Sequence, residues 1–266
     1  MAEMFTFDDV QAHWPRFDVE ADKYSRGVVG IDTGSQRYPG AGVLSVLGAL
    51  NSGAGFIRYV GPEAVRDALL VRAPSVTFST GTVDAWVVGC GWDDAGSAQR
   101  WDHARQSGVP LVVDAGALGF DDYHEHCLLT PHVGELARIL GVDRQEVAKT
   151  PDLYALQVTD RYGCTVLVKG HRQYLAHHDG TVVHVQPGLP GLARAGSGDV
   201  LAGVAGTLLA QTQDTKMAGL LAAGFQAWVS TLHPGAHPPD HMAEFMADHV
   251  PGLDLLPSHQ PVVANG

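Results

Sequence analysis

The chain has 266 residues, 45% of them hydrophobic, and its 29 acidic residues against 17 Lys and Arg give a formal net charge of −12. This length fits one large α/β domain or two small ones, and the hydrophobic content is enough for a substantial core. The negative charge argues against nonspecific binding to nucleic acid or anionic membranes, so we expect neither partner. An anionic ligand would need a local binding device, because the overall field repels it.

Cysteine usage and hydropathy bear on the compartment. Cys90, Cys127 and Cys164 show no metal-ligand spacing, which predicts reduced, buried thiols. The first residues lack the basic and then apolar pattern of a signal peptide. The apolar stretch 217–232 contains Gln226, which favours a core helix over a membrane span. These features predict a cytoplasmic protein.

The predicted elements begin with a polar, irregular leading segment over residues 1–24. A buried strand, a turn-rich loop, an apolar helix and a second strand follow and form a βαβ unit. In that order they cover residues 27–31, 33–42, 43–50 and 55–60. Further apolar strands are predicted at 84–91, 110–114, 126–130 and 164–170, with a helix over 136–140 after the third of them.

The remaining third of the chain, from residue 173, predicts a hairpin and helices in place of further parallel strands. Residues 173–187 predict a β-hairpin with a type I′ turn at Asp179-Gly180. Helices are predicted over 200–210, 215–232 and about 239–249. Near-continuous apolar strands that alternate with helices are typical of a mostly parallel sheet covered on both faces. We therefore predict a three-layer α/β sandwich in one domain spanning residues 1–266.

The most informative stretch is residues 190–203, where glycines precede the apolar helix. A helix N-terminus offers free N–H groups and a positive dipole end, and Gly196 and Gly198 let an anion approach the backbone. Asp199 would repel that anion, so we interpret it as a base that deprotonates the group attacking a phosphate. The alternative is a plain turn in which Asp199 stabilises the helix by about 0.3–1 kcal/mol through the dipole.

Other polar residues also follow predicted strands, and such ends meet at one edge of a doubly wound sheet. Lys169 would supply a point charge for a polyphosphate. His132 either contributes to a site or caps its helix, and Glu135 either interacts with the helix dipole or holds Mg²⁺ through water. Asp114 could simply bind backbone N–H groups of its own loop.

Four ordered motifs resemble one family. They are Tyr38-Pro39-Gly40-Ala41, Thr130-Pro131-His132-x-Gly134-Glu135, Lys169-Gly170-His171 and the stretch 190–203. Together they resemble the ADP/ATP-dependent NAD(P)H-hydrate dehydratases of the ribokinase-like superfamily, over residues 25–235. The resemblance implies a ribokinase-like fold and repair of hydrated nicotinamide cofactors. In that reaction ADP, or ATP, phosphorylates the C6 hydroxyl with Mg²⁺ present, and loss of phosphate restores NADH or NADPH.

The same resemblance implies roles for individual residues. Asp199 matches the catalytic base, and with Ala41, Gly91 and His132 it would bind the hydrate. The predicted nucleotide-binding residues are Lys169, Gly170, His171, Arg172, Gln173, Gly196, Ser197 and Gly198. It also implies a homo-oligomer, a dimer or tetramer, and a separate NAD(P)H-hydrate epimerase in the same pathway.

The chain departs from the family pattern where the hydrate would bind. Gly89-Cys90-Gly91-Trp92-Asp93 replaces Gly-Pro-Gly-Leu-Gly, and Gly116 replaces the second acid of Asp-Ala-Asp. Leu189 stands where Asn is usual, and Arg194 replaces a small residue. These changes bear on the shape of the hydrate pocket more than on the reaction. Two alternatives stay open: a ribokinase-like kinase for a vitamin alcohol, and a nucleotide-sensing module without turnover.

Overall fold

A computed structural model describes residues 3–18, 20–93 and 96–252. The strands are β1 Glu3–Phe5, β2 Val28–Asp32, β3 Phe56–Tyr59, β4 Ala85–Val88, β5 Leu111–Val113, β6 Cys127–Leu129, β7 Thr165–Val168, β8 Gln173–Ala176 and β9 Val182–Val185. The helices are α1 Phe7–His13, α2 Pro39–Asn51, α3 Glu63–Arg72, α4 Ser97–Gln106, α5 Val133–Leu140, α6 Arg144–Lys149, α7 Pro151–Tyr162, α8 Ser197–Thr212, α9 Thr215–Leu232 and α10 Pro239–Ala247. Two short 3₁₀ helices span Ala115–Gly119 and Pro190–Leu192.

All the strands join one sheet, in the order β1-β9-β8-β7-β6-β5-β4-β2-β3. Neighbouring strands are parallel except where β8 runs antiparallel to both β7 and β9. The chain moves from β2 outward to β3 and then returns to β4 on the other side of β2. This reversal is a topological switch point, and open α/β sheets bind ligands at the carboxyl ends of the strands there.

Both faces of the sheet are covered, as the apolar strands predict. Along β4, Ala85 and Val87 belong to a core cluster that includes residues of α2, α8 and α9. The alternate residues Trp86 and Val88 belong to a second cluster, on the other face, that includes residues of α4, α5 and α7. Because successive strand residues point to opposite faces, every residue of β4 is buried. The predicted mostly parallel three-layer sandwich is confirmed.

Helix α8 occupies the centre of one helical layer and is buried over residues 200–210, as its apolar sequence predicts. Two glycines allow α2 to lie directly against it. A Cβ on Gly48 would stand 2.2 Å from the Val200 carbonyl oxygen, and one on Gly203 would stand 2.0 Å from the Ser45 carbonyl oxygen. The glycines therefore fix the position of α8, which carries Asp199 in its first turn.

The leading segment is not irregular, as we predicted, but forms β1 and α1. Strand β1 adds a parallel edge strand beside β9. Helix α1 begins with a capping box, in which the Thr6 hydroxyl accepts from the Asp9 N–H and the Asp9 carboxylate accepts from the Thr6 N–H at 2.7 Å. This reciprocal pair satisfies donors at the helix start that a polar sequence would otherwise leave to water.

Two local predictions are also wrong in detail. Helix α2 starts at Pro39 and not at Val43, because proline at the first helical positions already has a helical φ. The hairpin between β8 and β9 is confirmed, but its turn is not type I′. That turn needs positive φ at both central residues, whereas only Gly180 (φ +82°) has one and Asp179 does not.

Among the residues that the structure describes, no helix combines the length and hydropathy needed to cross a bilayer.

The contact between α2 and α8 predicts a stability difference between two glycines of one helix. Gly48→Ala should lower the free energy of unfolding by about 1–3 kcal/mol, because its Cβ would overlap the α8 backbone. Gly40→Ala is the matched control, since its Cβ would meet nothing within 4 Å. Urea unfolding should show Gly40→Ala unchanged or stabilised, and equal midpoints for the two variants would contradict the close packing.

Candidate functional site

The carboxyl ends of β4, β5, β6 and β7 bring the predicted polar residues together. Asp114, directly after β5, is buried with 2% of its surface exposed. One oxygen, Oδ1, accepts from the Thr130 hydroxyl at 2.9 Å and from the Lys169 ammonium. The other, Oδ2, accepts from the Cys90 thiol at 3.3 Å. Asp114 therefore binds side chains from three neighbouring loops, and our expectation that it binds backbone N–H groups is wrong.

Lys169 is fixed at the end of β7 by its backbone and its side chain. Its N–H donates to the Pro131 carbonyl at 2.8 Å, which holds it beside His132. Burial opposes the charge of its ammonium group, but the carboxylates of Asp114 and Glu135 outweigh burial and raise the pKa of Lys169. The lysine is thus a permanent cation at physiological pH.

The glycine loop meets this cation at the N-terminus of α8. Gly196 precedes the helix with φ +96°, and no side chain in the described part of the chain caps the helix there. The N–H groups of Gly198 and Asp199 have no acceptor among the described residues. A Cβ on Gly198 would lie 3.2 Å from the Lys169 Nζ atom, so the glycine leaves the space beside the ammonium clear. Free N–H groups and a cation at a helix N-terminus are the components of an anion site.

Asp199 lies beside this anion site, half-buried in the first turn of α8. Burial and the nearby Asp114 carboxylate raise its pKa to about 6, and Lys169 and the Cys90 thiol offset only part of that rise. Lys169 forms its ion pair with Asp114, and no cation of the described residues pairs with Asp199. A carboxylate with a pKa near neutrality is suited to accept a proton at physiological pH.

A cleft of about 900 Å³ opens next to the anion site. Its cationic or titratable members are His132, Arg144, Lys169, His171 and Arg194. No Asp or Glu stands among the described residues that line it, although the whole chain has a net charge of −12. The cleft therefore has the local positive charge that an anionic ligand would need on a chain that is negative overall.

The structure places the predicted nucleotide-binding residues along this cleft with two exceptions. The lining residues among them are Lys169, Gly170, His171, Gln173, Ser197 and Gly198. Arg172 is exposed beside the cleft, and Gly196 precedes α8 without lining it. Buried Gln173 also carries a side-chain oxygen, Oε1, with no partner among the described residues, so a ligand donor could satisfy it.

His132 caps α5, which is one of the two roles that we predicted for it. Its Nδ1 accepts from the N–H groups of Gly134 at 2.9 Å and Glu135 at 3.2 Å. Glu135 in return accepts the His132 N–H through Oε2 at 2.9 Å, which completes a capping box. The His132 side chain is still 59% exposed and lines the cleft, and its Nε2 lies 3.5 Å from the Glu135 Oε1 atom, so the cap contacts orient the ring at the wall of the cleft.

Ala41 and Gly91 lie apart from His132, at the switch point between β2 and β4. They touch each other: a Cβ on Gly91 would be 2.5 Å from the Ala41 Cβ. Gly91 follows Cys90, whose side chain contacts Asp114. The predicted hydrate-binding residues other than Asp199 therefore form two groups, Ala41 with Gly91 at the switch point and His132 on the cleft.

Sequence reasoning missed one cluster at the switch point. Asp32 ends β2 with 5% exposure, and its Oδ1 accepts from the Arg100 Nε at 2.8 Å. The Arg100 guanidinium stacks 4.4 Å above the Trp92 ring, and the Trp92 indole donates to the Asp32 carbonyl at 2.9 Å. This cluster joins the loops after β2 and β4, beside Gly91. An acid directly after a buried strand, as at Asp114, was the signal that could have revealed it.

Glu135 is the carboxylate for which we considered Mg²⁺ binding through water. Its Oε2 is taken by the helix cap, while Oε1 lies 3.5 Å from the His132 Nε2. Mg²⁺ commonly keeps several waters and binds through few carboxylates. A partly exposed oxygen close to the anion site fits contact through water.

Comparison with known proteins agrees with this geometry. The profile of the NAD(P)H-hydrate dehydratase family matches residues 29–247. The bifunctional NAD(P)H-hydrate repair enzyme Nnr of Mycobacterium tuberculosis is 38% identical over 225 residues, which are 77% of this chain and 46% of that protein. The chain thus spans about half the length of that relative.

Shorter relatives match over most of their length. The ADP-dependent (S)-NAD(P)H-hydrate dehydratase of Bacillus subtilis is 30% identical over 232 residues, covering 81% of this chain and 84% of that enzyme. A crystal structure of the Bacillus subtilis ADP/ATP-dependent dehydratase, co-crystallised with ATP/Mg²⁺, superposes with a TM-score of 0.86 at 28% identity. That match covers 93% of this chain and 97% of the other.

The raised pKa of Asp199 predicts a cost in stability. Its folded-state pKa, about 6, exceeds the ordinary value of 3.8, so the wild-type free energy of unfolding should fall as the pH rises through that interval. Asp199→Asn has no carboxylate to ionise, so its free energy of unfolding should exceed that of the wild type by about 1–2 kcal/mol at neutral pH. Solvent screening of the partly exposed carboxylate makes this difference smaller than the pKa shift alone would give.

Thermal unfolding of the ligand-free protein checks this prediction. The difference between Asp199→Asn and wild type should be present at neutral pH and absent at acidic pH below 3.8. Asp67→Asn, at an exposed position of α3, is the control that should change neither value. A variant less stable than wild type at neutral pH would contradict the raised pKa.

Proposed function

Because the chain belongs to the NAD(P)H-hydrate dehydratase family, we propose that it dehydrates (6S)-NAD(P)H hydrate to NAD(P)H with ADP, or ATP, as phosphoryl donor. The observation that carries this proposal is the Asp199 carboxylate beside the anion site of α8, with its pKa raised to about 6. The names of the Bacillus subtilis relatives support the choice of nucleotide and of reaction.

In the proposed complex the nucleotide occupies the cleft and its terminal phosphates lie at the N-terminus of α8. The free N–H groups of Gly198 and Asp199 would bind phosphate oxygens, and Lys169 would add a point charge. Mg²⁺ bound to those phosphates would neutralise part of their charge, with Glu135 within reach through water. The position of these groups on different elements holds the phosphoryl group beside the Asp199 carboxylate.

The hydrate would enter from the switch point, along Ala41 and Gly91, and meet the nucleotide at Asp199. Asp199 then takes the proton of the C6 hydroxyl while the hydroxyl oxygen attacks the terminal phosphoryl group of the nucleotide. The nucleotide leaves with one phosphate fewer. Subsequent loss of phosphate from C6 and of a proton from C5 to solvent forms the C5=C6 double bond and restores the reduced nicotinamide. His132, whose ring is oriented by its cap contacts, would contact the substrates from the cleft side.

We further propose the setting in which the enzyme acts. Three buried free thiols support a reducing, cytoplasmic location. The family resemblance supports a homo-oligomer, a dimer or tetramer. A sequence without an internal repeat, low-complexity tract or linker supports one domain over residues 1–266. A separate NAD(P)H-hydrate epimerase would act in the same pathway, as the family resemblance implies.

Asp199→Asn tests the proposed base. With NADH hydrate, Mg²⁺ and ADP, the variant should lose about 10²-fold or more in kcat, because the hydroxyl is no longer deprotonated in the attack. Its affinity for ADP should be retained or increase, because Asn keeps the backbone donors and removes a negative charge beside the phosphates. Recovery of absorbance by reduced nicotinamide measures turnover, and Asp67→Asn is the matched control. Wild-type turnover in Asp199→Asn would remove this residue from the mechanism.

The same assay separates the alternatives. A small-molecule kinase would accumulate a stable phosphorylated product without restored nicotinamide absorbance. A nucleotide-sensing module would bind ADP but show no turnover in the wild type, so Asp199→Asn would have no effect.

Lys169→Ala tests the placement of the nucleotide, but it also leaves the buried Asp114 carboxylate without its cation. The double variant Asp114→Asn/Lys169→Ala avoids that unpaired charge, with Asp114→Asn alone as control. The double variant should weaken ADP binding about tenfold or more relative to the control, since a charge-assisted phosphate contact contributes about 1.5–3 kcal/mol. Titration calorimetry measures this. A defect in hydrate binding with normal ADP affinity would contradict the placement.

A further inference from the structure

Three possible metal ligands meet at the base of the proposed active site. The Cys90 sulfur and carboxylate oxygens of Asp114 and Asp199 all lie within 4.8 Å of one another. They come from three elements: the loop after β4, the end of β5 and the first turn of α8. Cys90 and Asp114 are buried, and only Asp199 is partly exposed. Solvent therefore reaches this group of ligands only at the Asp199 side chain.

The carboxylate of Asp114 is oriented for this contact. Thr130 and Lys169 both occupy its Oδ1, so Oδ2 is the oxygen that faces the Cys90 sulfur, at 3.3 Å. Hydrogen bonds that hold the second oxygen of a carboxylate are what orient ligands in known metal sites. The sulfur–oxygen separation of 3.3 Å is that of an S–H···O hydrogen bond. Two ligands of a tetrahedral ion, with bonds of about 2.3 Å to sulfur and 2.1 Å to oxygen, lie about 3.6 Å apart, so these two side chains need to separate by only about 0.3 Å to hold the ion.

We propose that Cys90, Asp114 and Asp199 form a binding site for a thiophilic divalent cation, Zn²⁺ or Cd²⁺. On binding, the metal–sulfur bond replaces the S–H bond of Cys90, and one proton passes to solvent. The thiolate and two carboxylates then balance the two charges of the ion together with the Lys169 ammonium. Mg²⁺ prefers oxygen ligands and gains nothing from the thiolate, so the site selects against it.

The thiol carries its hydrogen before the ion arrives, because the Cys90 S–H group donates to the Asp114 Oδ2 atom. Binding of the ion therefore displaces that hydrogen and puts the metal in its place between the sulfur and the carboxylate.

Titration of the purified chain with Cd²⁺, without nucleotide, tests the site. Thiolate-to-cadmium charge transfer should appear in the ultraviolet and saturate at one ion per chain, with about one proton released in weakly buffered solution. Cys90→Ser should abolish the band and weaken binding about tenfold or more. Cys164→Ser, which removes another buried thiol, is the matched control and should behave as the wild type.

A second variant keeps the test decisive if Cys90→Ser fails to fold. Asp199→Asn keeps the thiol but lacks one carboxylate, so it should keep the band and need about tenfold more Cd²⁺ to saturate it. No band in the wild type, or an undiminished band in Cys90→Ser, would overturn the proposal. Equal affinity in Asp199→Asn and wild type would also overturn it, because the third ligand would then be wrong.

The consequence for activity rests on the proposed function. An ion that holds the Asp199 carboxylate prevents it from accepting a proton, so Cd²⁺ should inhibit hydrate dehydration in the presence of excess Mg²⁺. Cys90→Ser should resist inhibition by about tenfold. If the wild type shows no dehydration, the proposed function fails while the absorption titration still decides the metal site. Inhibition that is equal in Cys90→Ser and wild type would contradict the link between the site and the base.

Discussion

The buried ion pair between Asp114 and Lys169 is the interaction on which the site depends. It joins the ends of β5 and β7 and commits the cation to Asp114, so no described cation neutralises Asp199 directly. Burial and the Asp114 charge then keep the Asp199 pKa near 6. Were Lys169 paired with Asp199 instead, the pKa of that carboxylate would fall and it would be a weaker base. Lys169 thus pairs with Asp114 beside the phosphate site, and Asp199 is left without a paired cation as the proton acceptor.

The packing of α8 gives this arrangement its precision. The base and the anion site share the first turn of one helix, so their separation is fixed by backbone geometry. Gly48 and Gly203 hold that helix against α2, and buried Gln226 of α9 donates to the Ser197 carbonyl at 2.9 Å. These contacts lie on both sides of the first turn. A displaced α8 would move the base and the phosphate donors together, away from Lys169.

Much of the site could be predicted from sequence because parallel strands present their carboxyl ends at one edge. Strand-end residues such as Lys169 therefore converge whatever their separation in the chain. Side-chain partners could not be predicted in the same way. Arg100 pairs with Asp32 across 68 positions, and nothing in the pattern of α4 distinguishes it from a solvated arginine.

Short elements were the weakest part of the fold prediction. Strand β1 has three residues, too few for a periodic signal, and it forms only because β9 offers an edge. The turn before β9 depends on which of two residues has positive φ, and Asp-Gly is compatible with more than one turn type. The role of Cys90 also required coordinates, because a single cysteine in a glycine loop does not show which carboxylates it faces.

The pH dependence of kcat/KM for hydrate dehydration, in wild type and Asp114→Asn, tests the central claim most directly. The account predicts a wild-type rate that rises as the pH increases through about 6, where Asp199 loses its proton. In Asp114→Asn this limb should move to lower pH, because a negative neighbour is gone and Lys169 is free to pair with Asp199. A limb that stays in place or moves to higher pH would contradict the account.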